Sequence, residues 1–199
     1  FAGSGVYYHV SYYGVPLSYL WVTSTPLSLM QEEMTKAYYA GSDDCWILNV
    51  GDLKPSEIPM EFFLSMGWDI DRYSDKEIPD FLAKVMKRDF GFSDAGAAEA
   101  AAIVEQYYQL AIAKRPEFFG KNQGSEYSLT QYGDEAQIRL DQMAALLDRS
   151  EALYEGLTGE RKTAYYQRVH YMVRAVELTF EKNVYMQKNQ LYVKQGRFA

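Results

Sequence analysis

Residues 45–55 join an apolar run, a polar loop and the start of a helix in direct succession. The run at 45–50 has the composition of a buried strand, and Asn49, Gly51 and Asp52 bring it to an end. A helical pattern begins near Ser56. Strand, polar loop and helix form the repeating unit of α/β enzymes, whose active sites lie where the strands end. We therefore expect the chemistry of this chain around Asn49 and Asp52.

The residues before this unit predict a second strand and a crossover helix. Residues 6–13 are rich in β-branched and aromatic side chains, and residues 27–39 repeat apolar positions at helical spacing. The order strand, helix, strand, helix predicts a parallel pair with a right-handed crossover. Residues 20–25 are predicted to be a third short strand or an extended loop.

Two or three strands do not complete a parallel sheet, because such sheets are covered on both faces. We expect this sheet to be completed by further chain or by a partner. The sequence opens with Phe1 and has no initial methionine. We therefore expect the chain to be a segment of a longer protein.

After residue 73 the pattern is helical throughout. Ser74 and Glu77 form a capping box, Ser93 opens a second helix, and apolar positions at helical spacing continue to Leu191. No part of residues 74–194 alternates like a strand. The predicted fold class is α+β and mostly helical, with two or three strands followed by a bundle of about four helices.

Composition excludes several classes of function. The net charge of −7 argues against unaided nucleic-acid binding, since phosphate contacts need an excess of Lys and Arg. A membrane-spanning helix needs about 20 consecutive apolar residues, and no apolar run in this sequence approaches that length. We therefore expect no membrane partner. The single cysteine excludes an internal disulfide and a cysteine-based zinc site. Aromatic residues make up 16% of the chain, which suits a sugar-stacking site and equally suits a packed core.

Several blocks of sequence, spread over both halves of the chain, match the pattern of one enzyme family. The longest is the string Trp-Ile-Leu-Asn-Val-Gly-Asp-Leu-Lys-Pro at residues 46–55. The other blocks are residues 5–10, Trp21 with the turn at 25–27, residues 57–64 with Trp68, residues 165–167 and residues 189–197. In these blocks the chain resembles glycoside hydrolase family 115, the xylan α-1,2-glucuronidases.

The resemblance implies a place for this chain in a larger enzyme. Residues 1–72 would be the C-terminal part of a (β/α)₈ catalytic barrel, and residues 73–199 a helical bundle domain. The implied reaction is removal of glucuronic acid or 4-O-methylglucuronic acid from xylan by inverting hydrolysis, without metal or other cofactor. The isolated chain is then expected to be inactive.

The resemblance also implies partners and a location. The expected partners are glucuronoxylan or a related acidic polysaccharide, since relatives act on arabinogalactan-type chains as well as xylan, and the rest of the parent enzyme. A homodimer is an option. The parent enzyme is expected to be secreted or periplasmic.

Glycoside cleavage commonly uses two carboxyl groups, and Asp52 is the carboxylate predicted at a strand end. We predict a catalytic role for Asp52, although capping of the following helix fits the same position. Asn49 closes an apolar strand, where its amide needs a polar partner such as a sugar hydroxyl. The missing second carboxylate would come from barrel strands absent here.

Three further residues are predicted to bind substrate. His9 ends the first strand and is suited to a uronate carboxylate or to a proton transfer, or else is a satisfied core residue. Tyr12 and Trp21 would form a stacking wall, or simply pack in their loop. A second class of function also fits the acidic charge and the amphipathic helices: a non-catalytic helical interaction module with a small α/β cap.

Overall fold

Two parallel strands and seven α-helices form the part of the protein that the computed structural model describes, residues 3–11, 22–73, 77–119 and 127–197. The elements are β1 (Gly5–His9), α1 (Leu27–Tyr39), β2 (Cys45–Asn49), α2 (Glu57–Trp68), α3 (Ile78–Phe90), α4 (Asp94–Ala113), α5 (Glu135–Glu155), α6 (Gly159–Tyr165) and α7 (Tyr171–Lys194). The predicted class, α+β and mostly helical, is confirmed.

The sheet consists of β1 and β2, which pair in parallel with α1 as the crossover between them. The register runs from Gly5 opposite Cys45 to His9 opposite Asn49. β1 ends at His9, before the end of the predicted strand at 6–13, because its partner β2 ends at Asn49; residues 10 and 11 form no strand, and residues 12 and 13 lie outside the described residues. The described part of the third predicted strand, residues 22–25, forms no strand.

The two faces of the sheet have different surroundings. Val6, Tyr8, Trp46 and Leu48 are partly buried against the hydrophobic core. On the other face, Tyr7 is 60% exposed and Ile47 54% exposed. Parallel sheets are normally covered on both faces, so this open face is unusual. The (β/α)₈ barrel that would cover it remains a prediction.

Local signals in the sequence explain where several helices begin and end. The hydroxyl of Ser93 accepts a hydrogen bond from the Gly96 amide at 3.2 Å and caps α4, as predicted. α3 ends at Gly91, whose φ of 67° is left-handed and favours glycine. Of the predicted capping box, residues 74–76 lie outside the described residues, and Glu77 occupies the N-cap position of α3.

A π-helical segment, Tyr166–His170, joins α6 to α7 without a break. α6, this π segment and α7 therefore form one continuous helical rod, and with α3, α4 and α5 they account for the four predicted bundle helices. No helix in the described ranges has the length and apolar character needed to cross a bilayer.

The bundle holds the π segment partly through His170, which is buried. The ring of His170 stacks on that of Tyr154 at 4.9 Å, and its Nδ1 lies 3.0 Å from the Ser150 hydroxyl. Burial lowers the pKa of His170, although the Glu151 carboxylate at 3.0 Å acts in the opposite direction. The imidazole therefore ties the π segment to α5 by ring stacking and by its contact with Ser150.

The hydrophobic core continues across the predicted domain boundary between residues 72 and 73, a boundary that itself remains a prediction. Phe62 of α2 is fully buried, and its ring lies 5.2 Å from that of Phe81 of α3. Farther along the chain, the Tyr107 hydroxyl donates to the Thr23 carbonyl at 2.7 Å. The strand-bearing part and the bundle thus share one packed interior.

Because of this shared core, Phe62→Ala is expected to lower the free energy of unfolding of the 199-residue chain by about 3–5 kcal/mol. Leu64→Ala, on the exposed side of the same helix, is the matched control and should change it by less than about 0.5 kcal/mol. Urea denaturation followed by circular dichroism measures both. An equal loss of unfolding free energy in the two variants, or separate unfolding transitions for the two halves of the chain, would contradict a shared core.

Candidate functional site

Three side chains meet at the carboxyl ends of the two strands, and we call them the strand-end cluster: Tyr7, His9 and Asn49. His9 and Asn49 are opposite each other in the parallel register, so both project from the open face of the sheet. The rings of Tyr7 and His9 are 4.6 Å apart. The amide of Asn49 donates a hydrogen bond to the Tyr7 hydroxyl at 3.1 Å.

Asn49 also shapes the loop that follows β2. Its Oδ1 accepts a hydrogen bond from the Gly51 amide at 3.2 Å, and Gly51 adopts a left-handed φ of 64°. Its backbone carbonyl accepts from the Val10 amide at 3.0 Å. Both ends of the Asn49 amide therefore have a partner within the chain, and each end retains capacity for one further hydrogen bond. Asn49 fixes both the strand ends and the direction of the loop.

A cleft of about 710 Å³ opens beside this loop. One wall is the loop itself, and the other is the π segment with the start of α7. We call it the loop cleft. Its lining consists of Gly51, Asp52, Leu53, Lys54, Pro55, Tyr166, Gln167 and Tyr171.

Asp52 is exposed and lines the loop cleft. The N-cap of the 3-10 turn at Lys54–Ser56 is Leu53, that of α2 is Ser56, and neither position has a side-chain cap. The alternative role of Asp52 as a helix cap therefore finds no support in the geometry. Among the described lining residues it is the one carboxylate, so these residues supply at most one member of a catalytic pair.

The far wall of the cleft depends on the π segment. A π turn contains an additional residue and re-aims the side chains around it, which is why such turns are frequent at functional sites. Tyr166 is 41% exposed at this wall and packs its ring 5.8 Å from His170. Lys54 Nζ donates to Gln167 Oε1 at 3.5 Å, which links the two walls across 113 residues of sequence.

Comparison with known proteins identifies the family. The model of glycosyl hydrolase family 115 matches residues 1–118, more than half of the chain. This chain belongs to glycosyl hydrolase family 115. The match spans both strands, the strand-end cluster and the loop after β2.

A solved structure extends the likeness into the bundle. This chain is similar to a family GH115 4-O-methyl-alpha-glucuronidase with specificity for decorated arabinogalactans, with a TM-score of 0.80 and 31% sequence identity. The similarity covers 92% of this chain and 25% of that enzyme, so the chain spans about a quarter of the enzyme's length. No curated protein matches this chain significantly.

The structure brings some of the predicted site residues together and leaves others undecided. His9 and Asn49 meet in the strand-end cluster, and Asp52 lies in the adjoining loop cleft. Tyr12 and Trp21 lie outside the described residues. Within the described ranges, no group of three or more His, Cys, Asp or Glu side chains converges as a metal site would require.

Sequence analysis did not assign the three residues that form the far wall of the cleft. Tyr166 and Gln167 belong to one of the family-like blocks, but their distance along the chain from the strands hid their place beside Asp52. Tyr171 begins α7, an element to which the sequence analysis assigned no site residue. The signal available was the family resemblance of residues 165–167, far from any predicted strand end.

The hydrogen bond between Tyr7 and Asn49 generates a stability prediction. Tyr7→Phe should lower the free energy of unfolding by about 0.5–1 kcal/mol, and Asn49→Ala by more, because it also removes the bond to Gly51. In the Asn49→Ala background, Tyr7→Phe should cost almost nothing further. Urea denaturation of the four proteins completes this double-mutant cycle. If the losses of unfolding free energy in the two single variants add up to the loss in the double variant, the two side chains do not interact.

Proposed function

We propose that this chain is part of an α-glucuronidase that removes glucuronic acid or 4-O-methylglucuronic acid side chains from xylan by inverting hydrolysis. Family membership supports a glycoside hydrolase. The observation that carries the proposal is the position of His9 and Asn49, side by side at the carboxyl ends of parallel strands on an otherwise open face.

In this proposal β1 and β2 are strands of an eight-stranded barrel. The open face with Tyr7 and Ile47 would then point into the barrel, while α1 and α2 lie outside it. Barrel interiors are filled by side chains, so the exposed rings and aliphatic groups would become buried once the other strands are present. Those strands belong to the rest of the parent enzyme.

The chemistry assigns one role to each part of the site. Inverting hydrolysis needs one carboxyl group to protonate the leaving oxygen and a second, about 6.5–9.5 Å away, to activate water on the opposite face. Asp52 would be one of these, with the second on a strand outside this chain. The imidazole of His9 and the amide of Asn49 would hold the uronate, and Lys54 supplies positive charge at the loop cleft.

The proposed partners follow from the reaction. The substrate would be glucuronoxylan or a related acidic polysaccharide, and the similar enzyme with specificity for decorated arabinogalactans makes those chains the main competitor. The parent enzyme would be secreted or periplasmic, since a large polysaccharide does not cross a membrane unaided. Assembly with the rest of the parent enzyme is part of the proposal, and a homodimer of the parent is a further option.

One observation favours the second candidate function, a non-catalytic interaction module. Leu64 and Trp68, one turn apart on α2, are 69% and 88% exposed. Exposed apolar side chains at helical spacing are typical of a docking surface. Titration of the chain with glucuronoxylan and with candidate protein partners separates the two functions.

The catalytic role of Asp52 is tested in the intact parent enzyme. Asp52→Asn should lower kcat for glucuronate release from aldouronic acids by about 10²–10⁴, because it removes a proton-transfer group. Asp43→Asn is the matched control, since Asp43 is an exposed carboxylate near the opposite end of β2, and it should leave kcat unchanged. The purified 199-residue chain should release no glucuronate.

Two outcomes would contradict the proposal. Equal activity of Asp52→Asn and Asp43→Asn would remove Asp52 from the mechanism. Proton NMR of the first product should show the β-anomer of glucuronic acid, and initial appearance of the α-anomer would exclude inversion.

A further inference from the structure

An ion-pair network lies behind the loop cleft and is centred on Arg168. This residue belongs to the π segment and directly follows Gln167, which lines the cleft. The Arg168 guanidinium pairs with the Glu57 carboxylate at 2.7 Å and with the carboxylate of Asp89. The Arg168 side chain is only 16% exposed, so most of it is withdrawn from water.

The two carboxylates place this guanidinium between two other helices. Glu57 is the first residue of α2, two positions after Pro55 of the cleft wall. Asp89 belongs to α3 and also binds Arg88, whose guanidinium donates two hydrogen bonds to Glu61 of α2 at 2.6 and 2.8 Å. The network is therefore a continuous series of ion pairs that begins and ends on α2 and passes through the π segment and α3.

Asp89 is an ionised member of this network at neutral pH. The hydrogen bond from Arg88, with a smaller contribution from Arg168, lowers the pKa of Asp89. A mostly buried guanidinium is costly unless its partners are ionised and well placed, and removal of one partner leaves an uncompensated charge. Asp89 thus accepts a hydrogen bond from Arg168 and Glu57 adds an ion pair, so the two carboxylates hold the guanidinium between α2 and α3.

The position of Arg168 bears on where the far wall of the loop cleft lies. A second cavity of about 680 Å³ lies beside the loop cleft, and Lys54 and Gln167 line both cavities. The contact from Lys54 to Gln167 therefore lies at the boundary that the two cavities share. Movement of the π segment away from α2 would break this contact and displace the far wall of the loop cleft.

We propose that Arg168 is a positioning residue for the loop cleft. Through Glu57 and Asp89 it holds the π segment, and with it Tyr166 and Gln167, at a fixed distance from the loop at 51–55. Its role is to set how the saccharide chain is held there, not to take part in bond cleavage. The claim about how the saccharide is held depends on the proposed function, whereas the claim that Arg168 positions the π segment does not.

The first experiment needs no activity. Hydrogen exchange followed by mass spectrometry is measured on the 199-residue chain for peptides covering residues 51–56 and 165–170. Arg168→Met should accelerate exchange in both peptides at least about tenfold, because it frees the wall that the ion pairs hold. Arg149→Met removes another arginine ion pair, the one to Glu99 at 2.6 Å, and should leave both peptides unchanged.

The second experiment uses the intact parent enzyme with glucuronoxylan. Arg168→Met should raise KM about tenfold and change kcat by less than about threefold, since it disturbs binding and leaves the reacting groups in place. Arg168→Lys keeps the positive charge but cannot contact Glu57 and Asp89 with the geometry of a guanidinium. Its KM should therefore lie between that of the wild type and that of Arg168→Met. Arg149→Met should match the wild type.

The outcomes separate the two claims. Unchanged exchange in both peptides, or the same acceleration in Arg149→Met, would overturn the positioning role. A fall in kcat that tracks the loss of melting temperature, with KM unchanged, would also overturn it. Absence of hydrolysis by the wild-type parent would instead overturn the proposed function, while the exchange result still decides whether Arg168 holds the wall.

Discussion

The pairing of β1 with β2 is the constraint on which the rest of the structure depends. A parallel pair needs a crossover, and α1 provides it while α2 covers the same face of the sheet. The opposite face keeps Tyr7 and Ile47 in solvent. The same register that opens this face brings His9 beside Asn49, so the exposed surface and the candidate site have one structural cause.

The bundle packs against the strand-bearing part and contributes residues to the candidate site. Its core joins that of the strand-bearing part through Phe62, and its π segment supplies the second wall of the loop cleft. His170 and Arg168 fasten that segment to different helices, the first by stacking and hydrogen bonding and the second by ion pairs. Part of the loop cleft is thus formed by helices that lie far from the strands in sequence.

Much of the fold is predictable because its signals are local. The apolar run at 45–50, the helical spacing at 27–39 and the cap at Ser93 predict elements that the structure confirms within one or two residues. β1 was predicted too long, because strand composition continues past His9 while the partner strand does not. The π segment was missed, since one additional residue in a helix barely changes its apolar periodicity.

The site is less predictable because it depends on contacts between distant residues. His9 and Asn49 were found from their strand ends, and the roles assigned to them and to Asp52 remain predictions. The contact of Lys54 with Gln167 and the pairing of Arg168 with Glu57 each join residues more than a hundred positions apart. No local pattern encodes such pairs, so only the folded chain reveals them.

The most direct test of the account is a crystal structure of the intact parent enzyme with glucuronic acid bound. The account predicts that further parallel strands enclose Tyr7 and Ile47, and that the sugar lies within hydrogen-bonding distance, about 3.2 Å, of the His9 and Asn49 side chains. A structure in which those two side chains still face solvent while the sugar binds elsewhere would contradict it.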